Sequence, residues 1–123
     1  MKRKFRLTRT ADFKRVRRFG KSYAHPLVVL ISSPNSENVL HIGVTASRSV
    51  GGAVERNRAK RRMRAALQAI FPAIKPGWDL IFLARQPLLT TDFKDIQAAF
   101  FSLLSGADLL VKEGNDRQQR LSE

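Results

Sequence analysis

The residues of this 123-residue chain that could perform chemistry are few and dispersed. His25 and His41 lie on neighbouring predicted strands and could act as general base and general acid on a phosphodiester. The ten acidic residues are scattered singly, which disfavours a protein-built site for two metal ions. Cysteine is absent, which excludes thiolate nucleophiles, thiolate zinc sites and disulfides. A protein active site is therefore only weakly indicated.

Basic side chains dominate the composition instead, with 23 Lys and Arg against 10 Asp and Glu and a formal net charge of +13. Residues 1–21, the N-terminal basic block, hold ten basic side chains and one acid. Residues 48–64, the second basic block, hold seven and one. Two dense blocks on a slightly acidic remainder favour binding to a polyanion, since each neutralised phosphate releases a counterion. The alternative is a solvated helix face.

The N-terminal basic block is predicted to form a short helix over residues 10–19, capped by Thr8 or Thr10 and ended by Gly20. Apolar residues at three-residue spacing form its one apolar ridge: Phe13, Val16 and Phe19. Aromatic rings beside arginines suit single-stranded nucleic acid, where bases stack on rings and phosphates meet charge. Tyr23 is a further aromatic candidate, and the alternative is that the phenylalanines belong to the core.

The middle of the chain is predicted to contain a β-hairpin. Tyr23 to Ile31 and Val39 to Thr45 are rich in β-branched residues, and a turn at residues 33–36 separates them. Pro26 indicates an edge position or an irregular start for the first strand. These two predicted strands, which are consecutive in the chain, are thus expected to pair with each other.

The second half is predicted to contain two amphipathic helices and a buried strand. A helix from about 54 to 71 places cations opposite an apolar arc of Ala59, Met63, Ala66, Leu67 and Ile70. Asp79 to Ala84 is nearly continuously apolar, as in a central strand. A last helix over residues 91–105, capped by Thr90 or Thr91, completes an α+β domain. No stretch approaches the roughly 20 apolar residues of a membrane span, and we expect a cytoplasmic protein.

Residues 54–64, Val-Glu-Arg-Asn-Arg-Ala-Lys-Arg-Arg-Met-Arg, closely resemble the signature of the bacterial ribonuclease P protein family. Gly43 to Arg48 and Val50-Gly51 precede them as in that family. Further similarity occurs at Arg6-Leu7, Asp12-Phe13, Gly20 and Gly77-Trp78-Asp79-Leu80, and the resemblance covers roughly residues 5–105.

The resemblance implies a small single-domain α/β sandwich with a mostly four-stranded sheet. The implied element order is α-β-β-β-α-β-α, with a left-handed βαβ crossover against the usual rule, a ribosomal-protein-S5-domain-2-like fold. Residues 1–111 would form the RNA-binding domain, and residues 112–123 a disordered C-terminal tail.

The resemblance also implies a non-catalytic protein subunit of an endoribonuclease. A catalytic RNA would hold Mg²⁺ and remove the 5′ leader of precursor tRNA, while one protein per RNA binds that RNA and the leader and improves metal and substrate affinity. No cofactor is expected on the protein, and a surface metal site is left unknown. The alternatives are a ribosomal or structural RNA-binding protein with no role in cleavage, and a stand-alone nuclease that uses its histidines.

The resemblance assigns two groups of site residues. Those expected to face the catalytic RNA are Arg48, Arg56, Asn57, Arg58, Lys60, Arg61, Arg62 and Arg64. Those expected to bind the leader, in a cleft between the first helix and the sheet, are Phe13, Arg17, Phe19 and Tyr23. Two positions depart from the family pattern, because Ser49 replaces a common basic residue and Ala65 a frequent glutamate.

Overall fold

A computed structural model describes residues 5–111 of the chain. The elements follow the order α-β-β-β-α-β-α, as the family resemblance predicts. Their bounds are α1 Thr10–Phe19, β1 Lys21–Ala24, β2 Val28–Pro34, β3 His41–Ala46, α2 Ala53–Ile70, β4 Trp78–Ala84 and α3 Phe93–Gly106. The predicted C-terminal tail, residues 112–123, lies outside the described residues.

The four strands form one mixed sheet in the order β1-β2-β4-β3. β1 and β2 are antiparallel, β2 and β4 are antiparallel, and β3 and β4 are parallel. Helix α2 makes the crossover from β3 to β4, as expected, and the left hand of that crossover stays a prediction. β1 and β3 are therefore the outer strands among those named.

The predicted hairpin, in which the segment at residues 23–31 pairs with the segment at residues 39–45, is wrong. Pro26 interrupts the first segment, so that it folds as two strands, β1 and β2, which pair with each other. β4 then lies between β2 and β3. The reason is burial: β4 is the most apolar strand, and Leu80, Ile81 and Phe82 are fully covered only in a central position.

The main core lies between the sheet and helices α2 and α3. The apolar arc predicted for α2 is confirmed, with Ala59, Met63, Ala66 and Leu67 buried and Ile70 half-buried at its end. The rings of Phe82 on β4 and Phe100 on α3 pack with centroids 4.6 Å apart. Removing either ring from such a site costs about 3 to 5 kcal/mol.

Helix α1 covers part of the opposite sheet face and forms a second, smaller cluster there. Val16 is fully buried in it with Leu7, Ile31 and Ile81, and Phe13 packs at its border. Neither Thr8 nor Thr10 caps α1, because Arg9 occupies the N-cap position without a side-chain bond. The cap of α3 is Asp92 rather than Thr90 or Thr91.

A buried carboxylate joins α1 to the sheet. Asp79 on β4 is 3% exposed and accepts hydrogen bonds from Arg15 (2.6 Å), Asn35 (2.9 Å) and the His41 ring (3.0 Å). Burial alone would raise the pKa of Asp79, but these hydrogen bonds and the Arg15 charge together outweigh it and hold that pKa below its ordinary value. Arg15 also contacts Asp12 on α1 at 3.4 Å.

We predict that Asp79→Asn lowers the free energy of unfolding by roughly 1 to 3 kcal/mol at pH 7, because it removes the charge that three donors converge on. A lowered folded-state pKa gives stability that is complete above the unfolded pKa of about 3.9 and is lost as the pH falls through the folded pKa. Urea unfolding should therefore show a constant difference from wild type between pH 7 and pH 5, and a shrinking one below about pH 4. Parallel pH curves for the two proteins would contradict this role.

Candidate nucleic-acid interface

Two glycines and a glutamate determine where α2 begins. Gly51 has φ of +140°, a conformation that side chains avoid, and an added Cβ would lie 2.9 Å from Glu55. The backbone N–H of Gly52 donates to the Glu55 carboxylate at 3.3 Å. The apolar arc below fixes the rotation of α2, so its cations are held on the solvent side.

Most of the second basic block is available at the surface of α2. Asn57, Arg58 and Arg61 are exposed, and Arg56, Lys60 and Arg64 are partly exposed. A groove of about 250 Å³ separates the start of α2 from the end of β3. Its lining residues are Thr45, Ala46, Ala53, Arg56, Asn57 and Lys60. Two cations and an amide beside a groove can bind phosphate oxygens and base edges together.

Arg62 departs from the predicted RNA-facing set. Its guanidinium donates to the carbonyls of Leu88 (2.6 Å), Leu89 (3.0 Å) and Thr91 (2.6 Å) in the segment between β4 and α3. These bonds satisfy backbone acceptors and join α2 to that segment. Three of the five N–H donors of Arg62 are thus used within the fold, which disfavours the predicted contact of this side chain with RNA.

Arg48 lies in a short helical turn between β3 and α2 and is exposed. Beside it, the hydroxyl oxygens of Ser47 and Ser49 are 2.7 Å apart. Ser49, which stands where the family commonly has a cation, thus bonds within the turn. Arg48 is at the same end of β3 as the groove beside α2.

Helix α1 leaves a strip of the sheet uncovered. The strand register places Val29, Leu83 and Thr45 side by side across β2, β4 and β3, on the face that carries α1. All three are half-buried, whereas Ile31 and Ile81, two positions along the same strands, lie fully under α1. A shallow cleft therefore runs beside α1 with this strip as its floor. No single segment of the sequence contains the strip, which exists only through the register.

Phe13 and Arg17 form the α1 wall of this cleft. The Phe13 ring lies directly over Gly43 of β3, where an added Cβ would approach the ring to 2.5 Å. Arg17 follows one turn later on the same side of α1 and is exposed. Phe19 is 73% exposed at the end of α1, with the Arg18 guanidinium 5.3 Å from its ring centroid.

Tyr23 does not join the other three candidates. It pairs with Leu30 across the β1–β2 register and packs against the main core, on the sheet face opposite α1. Its ring also lies 5.5 Å from the Lys21 ammonium. The expectation that Tyr23 lines the cleft is wrong, because side chains alternate between faces along a strand and the sequence alone did not give the register.

The two histidines are not a catalytic pair. His25 follows β1 and accepts a hydrogen bond from the Leu27 N–H at 3.1 Å, whereas His41 on β3 bonds Asp79. The outer strands that carry them are three strand spacings apart, about 14 Å. The prediction that the two histidines lie on neighbouring strands is therefore wrong. Within residues 5–111, no three His, Asp or Glu side chains cluster as metal ligands, and no helix is long and apolar enough to cross a membrane.

A small α+β domain with a cationic helix beside an open sheet cleft is the arrangement of an RNA-binding protein. The Ribonuclease P family profile matches residues 1–108. The ribonuclease P protein component of Herpetosiphon aurantiacus is 41% identical over 123 residues, covering 100% of this chain and 97% of that protein. That of Chloroflexus aurantiacus strain J-10-fl is 36% identical over 124 residues, covering 100% and 92%.

Solved structures of RNase P proteins also match the fold of this chain. The Staphylococcus aureus RNase P protein matches with a TM-score of 0.76 and 30% identity, covering 87% of this chain and 98% of that one. The Thermotoga maritima protein matches with a TM-score of 0.72 and 26% identity, covering 80% and 94%. The chain belongs to the bacterial ribonuclease P protein family. It is thus a protein subunit of an endoribonuclease complex that processes tRNA and includes an RNA subunit, and the ribosomal alternative is not favoured.

The different positions of Arg61 and Arg62 give a direct prediction. Arg62→Ala should lower the free energy of unfolding by about 1 to 3 kcal/mol, because three partly buried carbonyls lose their charged donor. Arg61→Ala should change it by less than about 0.5 kcal/mol, since Arg61 is exposed. Urea unfolding of both variants measures the contrast. Equal stabilities would mean that the Arg62 bonds contribute nothing to the fold.

Proposed function

We propose that this chain assists cleavage without performing it: the RNA subunit holds Mg²⁺ and cleaves precursor tRNA, and the protein binds both that RNA and the 5′ leader. One observation carries the proposal. Thr45 belongs both to the floor of the cleft beside α1 and to the groove beside α2. The two surfaces therefore meet, and one protein can hold an RNA subunit and a single strand side by side.

The proposed contact with the RNA subunit is the exposed side of α2 with the adjoining turn. Its members, as a revised set without Arg62, are Arg48, Arg56, Asn57, Arg58, Lys60, Arg61 and Arg64. Arginine suits this task because its planar guanidinium binds phosphate bidentately and stays charged. We propose one protein per RNA in the cytoplasm, where tRNA is processed.

The proposed leader site is the cleft beside α1. Its half-buried floor offers apolar contact to bases, and Arg17 offers charge to the backbone. Phe13 is held over Gly43, so its ring borders the cleft in a fixed position. Phe19 extends the site beyond the helix end, whereas Tyr23 contributes only through the core.

Reconstitution tests the division of labour. Protein alone should not cleave precursor tRNA, whereas protein added to the cognate RNA subunit should lower the Mg²⁺ concentration needed for half-maximal cleavage. His25→Ala and His41→Ala should retain this effect once folded, as judged by circular dichroism. Cleavage by the protein alone that disappears in a histidine variant would overturn the proposal. An unchanged Mg²⁺ requirement would remove the assisting role.

The leader site has its own prediction. Arg17→Ala and Phe19→Ala should weaken the binding of leader-containing substrate to the holoenzyme by about 1 kcal/mol each, through one lost charge or stacking contact. Leaderless tRNA should bind almost as in wild type. Both side chains are exposed, so the fold should be unaffected. Lys94→Ala, an exposed cation on α3, is the matched control. Equal losses for both substrates would exclude the cleft as the leader site.

A further inference from the structure

The N-terminal segment before α1 runs along the free edge of β3. The Leu7 N–H donates to the Ile42 carbonyl at 2.8 Å, and Arg6 forms a parallel bridge with Ile42. Leu7 is buried in the cluster under α1. Since successive side chains of an extended segment point to opposite faces, Arg6 points toward the α2 side of the sheet.

An aromatic contact holds this segment against α2. The rings of Phe5 and Phe71 pack with centroids 5.0 Å apart, and Phe71 is the C-cap residue directly after α2. Arg64 lies seven residues before Phe71, two helical turns back along α2. Arg6 and Arg64 therefore meet across a groove of about 100 Å³ between the N-terminal segment and α2, with Thr8 beside them.

The groove has positive charge and no compensating acid. None of the residues that line it is acidic, and within residues 5–111 neither guanidinium forms an ion pair. Two other arginines in this fold are partnered: Arg15 bonds Asp79, and Arg62 bonds three carbonyls. Arg64 instead has its pKa lowered by burial and by the charge of Arg6.

Deprotonation does not relieve this repulsion, because arginine stays charged in proteins. A bound anion does relieve it, since two forks and a hydroxyl can surround tetrahedral oxygens. We propose that Arg6 and Arg64 clamp one phosphate group of bound RNA in this groove. The clamp extends the RNA surface of α2 across the edge of β3. It rests on the proposed function for the identity of its ligand, although the site itself is a phosphate site.

The first experiment uses inorganic phosphate and the full chain. Thermal unfolding is followed at rising phosphate, with ionic strength held constant by chloride, for wild type, Arg6→Gln, Arg64→Gln and the double variant. A ligand that binds the folded state raises the melting temperature, which gives an apparent Kd. Each single variant should bind phosphate about tenfold more weakly, the loss of a charged hydrogen-bond donor.

The single and double variants together distinguish a shared site from two separate ones. If both guanidiniums hold one phosphate, each single variant weakens binding at that one site and the double variant loses most of the phosphate response. If they held two separate phosphates, each single variant would keep a response of wild-type affinity from the other arginine. Lys94→Gln removes the same charge at an exposed position and should bind phosphate as wild type does. Without phosphate, Arg6→Gln should melt no lower than Lys94→Gln, because it relieves a repulsion. Wild-type phosphate affinity retained in either single variant, or a loss that Lys94→Gln reproduces, would overturn the clamp.

The second experiment asks whether the phosphate belongs to RNA. Affinity for the cognate RNA subunit is measured against salt concentration. The double variant should reduce the slope of log affinity on log salt by about one unit, the loss of one phosphate contact, and each single variant should reduce it by no more than that. An unchanged slope alongside a weakened phosphate response would mean that the groove takes free phosphate, which overturns the RNA clamp. Failure of wild type to lower the Mg²⁺ requirement would instead count against the proposed function alone.

Discussion

The hydrogen bonds at Asp79 determine how the two sheet faces are used. A carboxylate buried at 3% exposure requires donors, and Arg15 supplies one from α1 across the sheet. That bond holds α1 over one end of the sheet, above Ile81. The other end, where Leu83 lies, stays open as the cleft. The site proposed for a single strand therefore follows from a fold-stabilising contact, and moving α1 would close the cleft or uncover the core.

Arginine has three distinct uses in this chain, although all its copies look alike in sequence. The guanidiniums of Arg15 and Arg62 donate hydrogen bonds to other groups of the fold. Arg58 and Arg61 are exposed and free to meet a phosphate backbone. Arg64 is partly covered beside another cation, and its charge is met by no acid in the described part of the chain. Counting basic residues in a motif therefore overstates its contacts with RNA. The geometry of each guanidinium decides which partner it has.

The sequence predicted local features better than it predicted neighbours. The apolar arc of α2 and the burial of β4 were correct, since helical periodicity and continuous apolar runs are local signals. The hairpin was wrong because the pairing of β4 depends on burial summed over the whole sheet. Tyr23 was misplaced for the same reason, since its face depends on register. Arg62 donates hydrogen bonds to carbonyls about 27 residues later in the chain, and local sequence periodicity does not predict such a long-range contact.

The central position of β4 has a consequence for the order of synthesis. β2 and β3 leave the ribosome before β4 and do not pair with each other. β2 can pair early with β1, but β3 can join that pair in one sheet only through residues 78–84. The sheet thus cannot close until most of the chain has been made. Until then the strongly cationic segments of residues 5–64 lack the scaffold that separates their charges. Long-range pairing of this kind slows folding, so the nascent chain carries its positive charge unfolded for most of its translation.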